Sequence, residues 1–377
     1  MLELADIFVR HGAEYLVKFG DAMLPSHKRA LYDICACRTA ALGGHLMACS
    51  QNCGHMEYAY HSCKNRGCPK CHGKESRQWV EKRKNELLPF VTYFHLVFTL
   101  PSELREIVRK QQKKLYSILM QSAAESVQTL AADHKYVGGK LGMLAVLHTW
   151  TNAQLYHPHA HFLVPGGGVT NDGAWRKSRR KFLVPVKALS LIFRAKFLEK
   201  MQDEFPCLVI PREVWRKDWV VYCKPAQQGS EKVVEYLGRY VHRIAITNNR
   251  LLALKNGEVT FRYKQTRRNK KQWISSWKTM TLPALAFMAR FLQHMPPKGF
   301  HKVRYYGLLS PVCREQLRQV QVLLISSQSG QKIDTCSKEK ENQQRVCQLC
   351  KQGHMRPIKV LPRAIGSLTA LLARSPP

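Results

Sequence analysis

The sequence predicts an α+β fold, in which short strands and amphipathic helices share one core. Three observations support this class. Hydrophobic residues make up 45% of the 377 residues, enough apolar surface to offset the entropy lost on ordering the chain. Apolar runs of strand period and of helix period are both short and are mixed along the chain. No run approaches the ~20 apolar residues of a membrane helix, so an integral membrane protein is not expected.

In the first half of the chain, the elements follow from apolar spacing and boundary residues. Residues 1–34 carry apolar side chains at roughly helical spacing, whereas residues 35–72 are rich in Cys, His and Gly and show little periodicity. A charged helix is expected at 76–88. The aromatic and β-branched run 93–100 predicts a buried strand that ends at a proline, and a serine then caps a helix that reaches about residue 132.

The second half adds strands at 143–150 and 159–165, then amphipathic helices at 186–203 and 231–243. Three consecutive glycines close the strand at 159–165. Residues 251–263 predict a hairpin, because two apolar runs flank Asn-Gly, the strongest two-residue turn signal.

The charge of the chain points to a polyanionic partner. Lys and Arg number 60 and Asp and Glu number 26, which gives a formal net charge of +34. Such a chain repels itself unless a polyanion is present; nucleic acid is the commonest such partner, and an acidic membrane surface is the alternative. Glu3, Asp6 and Arg10 interrupt the first apolar stretch, so a secretory signal is not expected. We therefore expect a cytoplasmic protein that binds nucleic acid.

Thirteen cysteines without a secretory signal favour metal binding over a disulfide framework. Two close groups stand out, Cys49-x3-Cys53 and Cys63-x4-Cys68-x2-Cys71. Because a tight loop can deliver two thiolates to one ion, four of these five cysteines are expected to hold a tetrahedral Zn²⁺. The alternative is a set of buried or free thiols. Other side chains compete for the same ion, namely Cys35, Cys37, His45, His55, His61 and His72.

A second cysteine pair lies near the C-terminal end. Cys347-x2-Cys350 with His354 amounts to half of a metal site, and Cys336 is the nearest further candidate ligand. A single pair is equally compatible with free thiols, so metal binding here stays open.

A run of histidines predicts a different kind of metal site. The segment His157-Pro-His159-Ala-His161 leads into an apolar strand, and His157 is expected just before that strand. Residues two apart on a strand point to the same face, so His159 and His161 are expected to converge on one cation. A site with few protein ligands leaves room for water or a phosphate oxygen.

Tyr236 and Tyr240 lie four residues apart in a segment of helical pattern and would share one helix face. Two tyrosines at this spacing are most often part of a core. Beside a histidine pair, catalysis is the alternative, because a tyrosine hydroxyl can attack a phosphodiester that a metal polarises. Arg239 and Arg243 are nearby cations that could stabilise phosphate charge or only decorate the surface.

Two basic stretches, 175–182 and 261–273, combine cations with aromatic residues. This mixture suits single-stranded DNA, because bases stack on the rings while Lys and Arg contact the phosphates. The second stretch is the stronger candidate, and the alternative for it is a solvated hairpin edge whose lysines prevent aggregation. Its expected DNA-binding residues are Arg262, Lys264, Arg267, Arg268, Lys270, Lys271 and Trp273.

Taken in order, these motifs resemble those of the HUH nucleases, specifically the two-tyrosine transposases of rolling-circle insertion sequences (the insertion-sequence-ninety-one group). The resemblance covers residues 35–310 approximately, and four motifs in a shared order are specific although each alone is only a hypothesis. The motifs are Cys63-Lys-Asn-Arg-Gly-Cys68-Pro-Lys-Cys71, His95-Leu-Val-Phe-Thr-Leu-Pro101, His148-Thr-Trp150 with His157 to Gly168, and Tyr236-Leu-Gly-Arg-Tyr240-Val-His-Arg243.

The resemblance implies a small antiparallel sheet with helices, in which the histidine pair lies on a central strand and faces the tyrosine helix. It implies cleavage of single-stranded element ends and target DNA through a 5′-phosphotyrosine link, with Tyr236 and Tyr240 as nucleophiles and a rolling-circle intermediate. It also implies a structural Zn²⁺ and a catalytic Mg²⁺ or Mn²⁺. The third ligand of the catalytic ion would be His148, His157 or His242.

The same resemblance divides the chain into three consecutive domains. These are a zinc-binding, DNA-recognition module at 1–88, a catalytic domain at 89–310, and a C-terminal linker with a small tail at 311–377. It places the protein at the bacterial nucleoid. Two other functions stay open: a plasmid rolling-circle replication initiator or relaxase, which shares the tyrosine chemistry, and a non-catalytic zinc-dependent DNA-binding regulator. The N-terminal cysteines and the paired tyrosines favour the transposase.

Overall fold

The computed structural model describes residues 1–71, 79, 83, 86–226, 241, 243–269, 272–327, 345–364 and 372. Its α-helices are α1 (Leu4–Phe19), α2 (Pro25–Ala36), α3 (Arg105–Lys110), α4 (Gln112–Ala132), α5 (Val186–Glu204), α6 (Arg212–Arg216), α7 (Ala284–Leu292) and α8 (Arg314–Ser326). Its strands are β1 (Gly44–Cys49), β2 (Met56–Tyr60), β3 (Tyr93–Thr99), β4 (Gly142–Trp150), β5 (Tyr156–Pro165), β6 (Gly167–Val169), β7 (Trp175–Lys177), β8 (Val221–Pro225), β9 (Leu251–Lys255), β10 (Glu258–Asn269), β11 (Gln272–Pro283), β12 (Val303–Gly307) and β13 (Met355–Leu361). Among these residues, no helix combines the length and the apolar character needed to cross a membrane.

The chain folds into two compact units, each made of segments that are far apart in sequence. The first unit comprises Met1–Gly73, Ile246–Met295 and Gln331–Pro377. The second unit comprises Lys74–Ala245 and Pro296–Gly330.

This division differs from the three consecutive domains expected at 1–88, 89–310 and 311–377, and the reason is long-range packing. Strand β13 from the C-terminal segment pairs antiparallel with β1. In the same unit, Phe8 of α1 meets Phe291 of α7 edge to face, with ring centroids 5.5 Å apart. Segments that look peripheral in the sequence therefore complete the unit that begins at the N-terminus.

The second unit is built on a five-stranded antiparallel sheet with strand order β12-β4-β5-β3-β8. One face of this sheet packs against α4 and α5. Phe98 of β3 contacts Phe162 of β5 and Phe193 of α5, with ring centroids 5.3 and 4.9 Å apart. Because side chains alternate along a strand, the residues between these aromatics point to the opposite face. The predicted α+β class is confirmed, and β3, β4 and α5 lie where the sequence places them.

Strand β5 begins earlier than expected, so His157 lies inside the strand and not just before it. Pro158 is tolerated in this central strand because the pairing with β4 is irregular there, with a register shift between His148 and Trp150. Proline within sheets is confined to edge strands and bulges, and bulges are common next to functional sites. The irregular pairing therefore adjoins the histidines that the sequence singles out.

The first unit contains two three-stranded sheets, with strand orders β13-β1-β2 and β11-β10-β9. The predicted hairpin is confirmed: Asn256 and Gly257 join β9 to β10 with φ of +50° and +72°, as a type I′ turn requires. Strand β10 continues past the predicted end and pairs with β11 along all 12 of its residues.

The predicted helical character of residues 1–34 is confirmed, and two further predicted helices lie mostly beyond the described part of the chain. Residues 1–34 lie mainly in α1 and α2, and Pro25 occupies the first position of α2, where its missing N–H leaves no bond unmade. The helices expected at 76–88 and 231–243 lie mostly outside the described residues.

Candidate functional site

Three histidines meet on the face of the second unit's sheet that does not pack on α4 and α5. His148 lies on β4 and is paired in register with His159 of β5, and His161 follows two residues later on the same face. Ring nitrogens of the three residues all lie within 4.8 Å of one another. The ring centroids of His148 and His161 are 4.5 Å apart, and those of His159 and His161 are 4.9 Å apart. Such spacing allows three imidazoles to share one cation.

Hydrogen bonds hold two of these histidines, and one of the bonds fixes which ring nitrogen is presented. His159 Nδ1 lies 2.7 Å from the carbonyl oxygen of His157, which only accepts, so Nδ1 carries the proton and Nε2 the lone pair. His161 Nδ1 lies 2.9 Å from Nε2 of His95 on β3. Donation from His161 to His95 leaves the lone pair of His161 on Nε2 as well. Metal-bound histidines typically have their other nitrogen held in this way.

The environment of His95, His159 and His161 lowers their pKa values. Burial lowers the pKa of His159 and of His95 to about 4, and it lowers the pKa of His161 well below its usual value. The positive charge of Arg243 acts in the same direction on His159 and His161. At neutral pH these rings are therefore imidazoles and not imidazolium ions, which is the form that binds a cation.

Two residues that flank the end of the tyrosine segment lie at this site. Val241 is buried against Leu144, Val146 and Leu163, on the sheet face that carries the histidines. Arg243 donates a hydrogen bond of 2.9 Å to the side-chain oxygen of Asn152, in the loop between β4 and β5. Tyr236, Arg239, Tyr240 and His242 lie outside the described residues.

Among the candidate third ligands, His148 is the residue that the structure brings to the pair. His157 instead accepts a hydrogen bond of 3.1 Å from Arg105, and it is not part of the group of three. No role was assigned to His95 from the sequence, although it begins the motif His95-Leu-Val-Phe-Thr-Leu-Pro101. Its alternation with Val97 and Thr99 on β3 was a usable signal, because it puts His95 on one face of a strand adjacent to β5.

A cluster of four cysteines lies in the first unit. Cys37 follows the end of α2, and Cys63, Cys68 and Cys71 come from the loop after β2. The Sγ atom of Cys71 lies 3.5 Å from those of Cys37 and Cys63. Four sulfurs around Zn²⁺ at ~2.3 Å are about 3.8 Å apart, whereas a disulfide bond is ~2.05 Å long. The spacing therefore fits a metal site and not a disulfide.

The chemistry of this cluster also favours a divalent cation. The neighbouring thiols of Cys37 and Cys68, together with burial, raise the pKa of Cys63 well above its usual range. Several thiolates this close together need a positive charge between them. Four sulfur donors in a tetrahedral arrangement are the ligand set of structural Zn²⁺.

The expectation that Cys49, Cys53, Cys63, Cys68 and Cys71 supply one zinc site has to be corrected. Cys37 takes a place in the first cluster, whereas Cys49 and Cys53 lie with Cys347 and Cys350 in a second cluster. The pairing of β13 with β1 causes this exchange, because it brings the C-terminal cysteines beside Cys49. Cys336 lies outside the described residues, and His354 is not among the grouped side chains.

The basic hairpin of the first unit exposes cations beside an aromatic ring. Arg262 and Lys264 of β10 are both exposed, and Lys264 is the cross-strand partner of Trp277 on β11. The guanidinium of Arg262 lies 5.1 Å from the centroid of the Trp277 ring, which is itself 59% exposed. Strands β10 and β11 include Arg267, Arg268 and Trp273, whose side chains lie outside the described part of the chain. Lys270 and Lys271 lie outside it entirely.

Two family models match this chain. Residues 7–100 match a "Transposase zinc-binding domain" of the IS91 type, and residues 142–316 match a family described as "Putative transposase". A protein of Sinorhizobium fredii named "Putative transposase y4qJ" is 39% identical, over 97% of this chain and 96% of its own length. This chain belongs to the IS91-family transposases.

A second relative of this transposase is the "Transposase for insertion sequence element IS801" of Pseudomonas savastanoi pv. phaseolicola. It is 29% identical, over 76% of this chain and 71% of its own length. No solved structure matches the chain. The cluster that contains Cys37 lies within the matched zinc-binding region, and His148, His159 and His161 lie within the second matched region.

Proposed function

We propose that this transposase cuts one DNA strand with a tyrosine nucleophile beside a divalent cation and then transfers that strand. The element would move through a single-stranded, rolling-circle intermediate. One observation carries the proposal: three histidines converge on a sheet face that also holds Val241, and Arg243 bonds to the adjoining loop; both residues follow Tyr240 within three positions. The chain path there supports a position of Tyr240 near the three imidazoles.

The donor set fits a catalytic cation and favours Mn²⁺ over Mg²⁺. His148, His159 and His161 would hold the ion, and neutral imidazole suits transition metals better than it suits Mg²⁺, which prefers oxygen ligands. When bound, the cation would polarise the scissile phosphate and compensate its charge. His95 would act as a positioning residue through its hydrogen bond to His161.

The tyrosines would supply the covalent chemistry. The hydroxyl oxygen of Tyr240 or Tyr236 bonds to phosphorus, and the bond from phosphorus to the 3′ oxygen breaks. The tyrosine loses its proton, and the departing oxygen gains one to become a 3′-hydroxyl. One ester replaces another, so the reverse attack can rejoin DNA without an energy source. Arg239 and Arg243 would stabilise the phosphate charge during both steps.

A metal-dependence experiment tests this function. Labelled single-stranded element ends should form a covalent protein–DNA band on a denaturing gel with Mn²⁺, less of it with Mg²⁺ at the same concentration, and none with EDTA. The variant H159A/H161A should lose at least about 100-fold of this activity, because its remaining imidazole cannot hold the cation. His134→Ala is the control, since this exposed histidine of the same unit bonds to Arg176 and not to the cluster. A full covalent band in EDTA would sink the proposal.

The basic hairpin would contact the single strand. With Lys264 opposite Trp277 and Arg262 over the same ring, bases can stack on the tryptophan while the cations meet phosphates. Arg267, Arg268, Lys270, Lys271 and Trp273 would extend this surface toward the end of the hairpin. A DNA substrate would place the activity at the bacterial nucleoid.

We expect the variant R262A/K264A to bind single-stranded DNA about tenfold more weakly at low salt and with a smaller salt dependence, because two phosphate contacts are lost. The variant K135A/K187A, which removes two exposed charges from the second unit, is the matched control. Fluorescence anisotropy across a salt series measures both quantities. Equal losses in the two variants would show that only net charge matters and that the hairpin is a solvated edge.

A further inference from the structure

We propose that Cys49, Cys53, Cys347 and Cys350 form a second structural zinc site, which fastens strand β13 to the sheet of the N-terminal segment. The zinc-binding family model ends at residue 100 and so cannot account for a site with two ligands near residue 350. The inference is independent of the nuclease chemistry proposed above, because none of these residues belongs to the histidine site.

The four sulfurs have the arrangement of a metal site. All lie within 4.8 Å of one another. The Sγ atoms of Cys49 and Cys350 are 3.5 Å apart, and those of Cys53 and Cys347 are 3.7 Å apart. These distances are close to the ~3.8 Å edge of a tetrahedral zinc–sulfur site and far beyond a disulfide bond. The pairs also cross between the two segments, so neither segment could complete the site alone.

Backbone amides are directed at the sulfurs, as thiolate ligands require. The N–H of Gln51 donates to Sγ of Cys49 at 3.4 Å, and the N–H of Gly353 donates to Sγ of Cys350 at 3.3 Å. A side chain at Gly353 would collide with Sγ of Cys49, so only glycine lets this loop approach the cluster. Amide hydrogen bonds favour the charged form of an acceptor, which for a thiol is the metal-binding thiolate.

The two cysteine loops are also joined by two hydrogen bonds between Ser50 and His354. The N–H of Ser50 donates to the carbonyl oxygen of His354 at 2.9 Å, and the N–H of His354 donates to Oγ of Ser50 at 2.9 Å. This reciprocal pair holds the loops in register directly beside the sulfurs. The site is therefore fixed by more than the positions of four side chains.

Apolar packing contributes little to holding β13 in its sheet. Five of its residues are exposed, from Arg356 to Val360. The hydrophobic cluster at its start has three buried members, Cys49, Cys347 and Met355, and two of these are cysteines. A segment with so little core is usually held by a metal or a disulfide. A zinc ion bound by both Cys49 and Cys350, which are 301 residues apart in the sequence, would supply the stability that apolar packing does not.

Thiol alkylation of the full-length protein tests the site without any variant. Cys53 and Cys350 are only half-buried, so burial cannot protect their thiols, whereas a zinc ion can. In reduced, zinc-loaded protein we expect both to react with iodoacetamide at least tenfold more slowly than Cys207, which is exposed and lies outside both clusters. Peptide mass spectrometry resolves each position. Reaction of Cys53 and Cys350 as fast as Cys207 would overturn the proposal.

Zinc counting then assigns the second ion. We expect two zinc ions per chain in the wild-type protein and one in C347S/C350S. The variant C207S/C313S, with two cysteines from neither cluster, should keep two. One zinc in the wild type, or two in C347S/C350S, would refute the site. If C347S/C350S loses both ions, cobalt titration of the wild type decides between one and two tetrathiolate centres by the equivalents needed for saturation.

Discussion

Replacing Tyr236 and Tyr240 together with phenylalanine is expected to abolish covalent attachment to DNA while single-stranded DNA is still bound. Phenylalanine keeps the ring and removes only the oxygen that would bond to phosphorus. Loss of a nucleophile costs about 10⁴-fold or more in other enzymes, because the remaining groups have no covalent intermediate to stabilise. Denaturing gels of labelled element ends in Mn²⁺ measure the covalent product, and native gels measure binding.

The single variants would separate the two roles. If one tyrosine cuts first and the other receives the second strand, one single variant should lose the first covalent complex, and the other should keep it but fail to join strands. Tyr136→Phe is the matched control, since this half-buried tyrosine packs against Phe182 and lies outside the histidine site. An undiminished covalent complex in the double variant would return the tyrosine pair to the role of core packing and favour the non-catalytic DNA-binding regulator.

The histidine face was predictable because it depends on local geometry. Side chains alternate along any strand, so the spacing of His159 and His161 alone places both rings on one side of β5. The pairing partner was not predictable in the same way. His148 reaches the site because β4 pairs with β5 in a register that puts it opposite His159, and register is set by the whole sheet. Sequence spacing could name His148 only as one of three alternatives.

The cysteine sites show the opposite case. Close spacing correctly grouped Cys63 with Cys68 and Cys71, because a tight loop keeps its own residues together. The same reasoning joined Cys49 and Cys53 to them and was wrong, since nothing within 20 residues of sequence reveals that β13 pairs with β1. Cys37 at the end of α2 was one of six competing candidates, and its spacing alone did not single it out. Contacts between segments distant in sequence decided the ligands of both clusters.

Outside the five-stranded sheet, local features were again predictable from the sequence and long-range contacts were not. The Asn256-Gly257 turn is encoded by two residues and was predicted from them, because left-handed backbone is cheap for asparagine and glycine. The assignment of this hairpin to the N-terminal unit was missed. It depends on contacts such as that of Phe261 with Phe287, whose ring centroids are 5.6 Å apart. Contacts of that kind are specified by side-chain shape in three dimensions and leave no periodicity in the sequence.

Cys68→Ser is expected to remove the zinc ion of the Cys37 cluster and to unfold the segment that it holds. Cys68 is 1% exposed and is one of the four sulfurs of the cluster, so its loss removes a buried ligand of the ion. Structural zinc sites bind with about 10–16 kcal/mol in isolated peptides, which is similar in size to the about 5–15 kcal/mol that holds a whole domain together. Loss of one thiolate should therefore destabilise residues 61–71, the loop after β2 that carries three of the four ligands.

Hydrogen exchange read by mass spectrometry measures this loss, with zinc content determined on the same sample. Cys35→Ala is the matched control. Cys35 lies two residues from Cys37 and is equally buried, but it belongs to neither cluster, and burial raises the pKa of its thiol to about 12. This thiol is therefore inert, and the control should keep its zinc at a cost of about 1 kcal/mol. Cys68→Ser with full zinc content and unchanged protection at 61–71 would contradict a structural role for the cluster. Equal loss of protection in Cys68→Ser and Cys35→Ala would attribute the effect to core packing. Both residues are buried, but only Cys68 belongs to the cluster that would hold the ion.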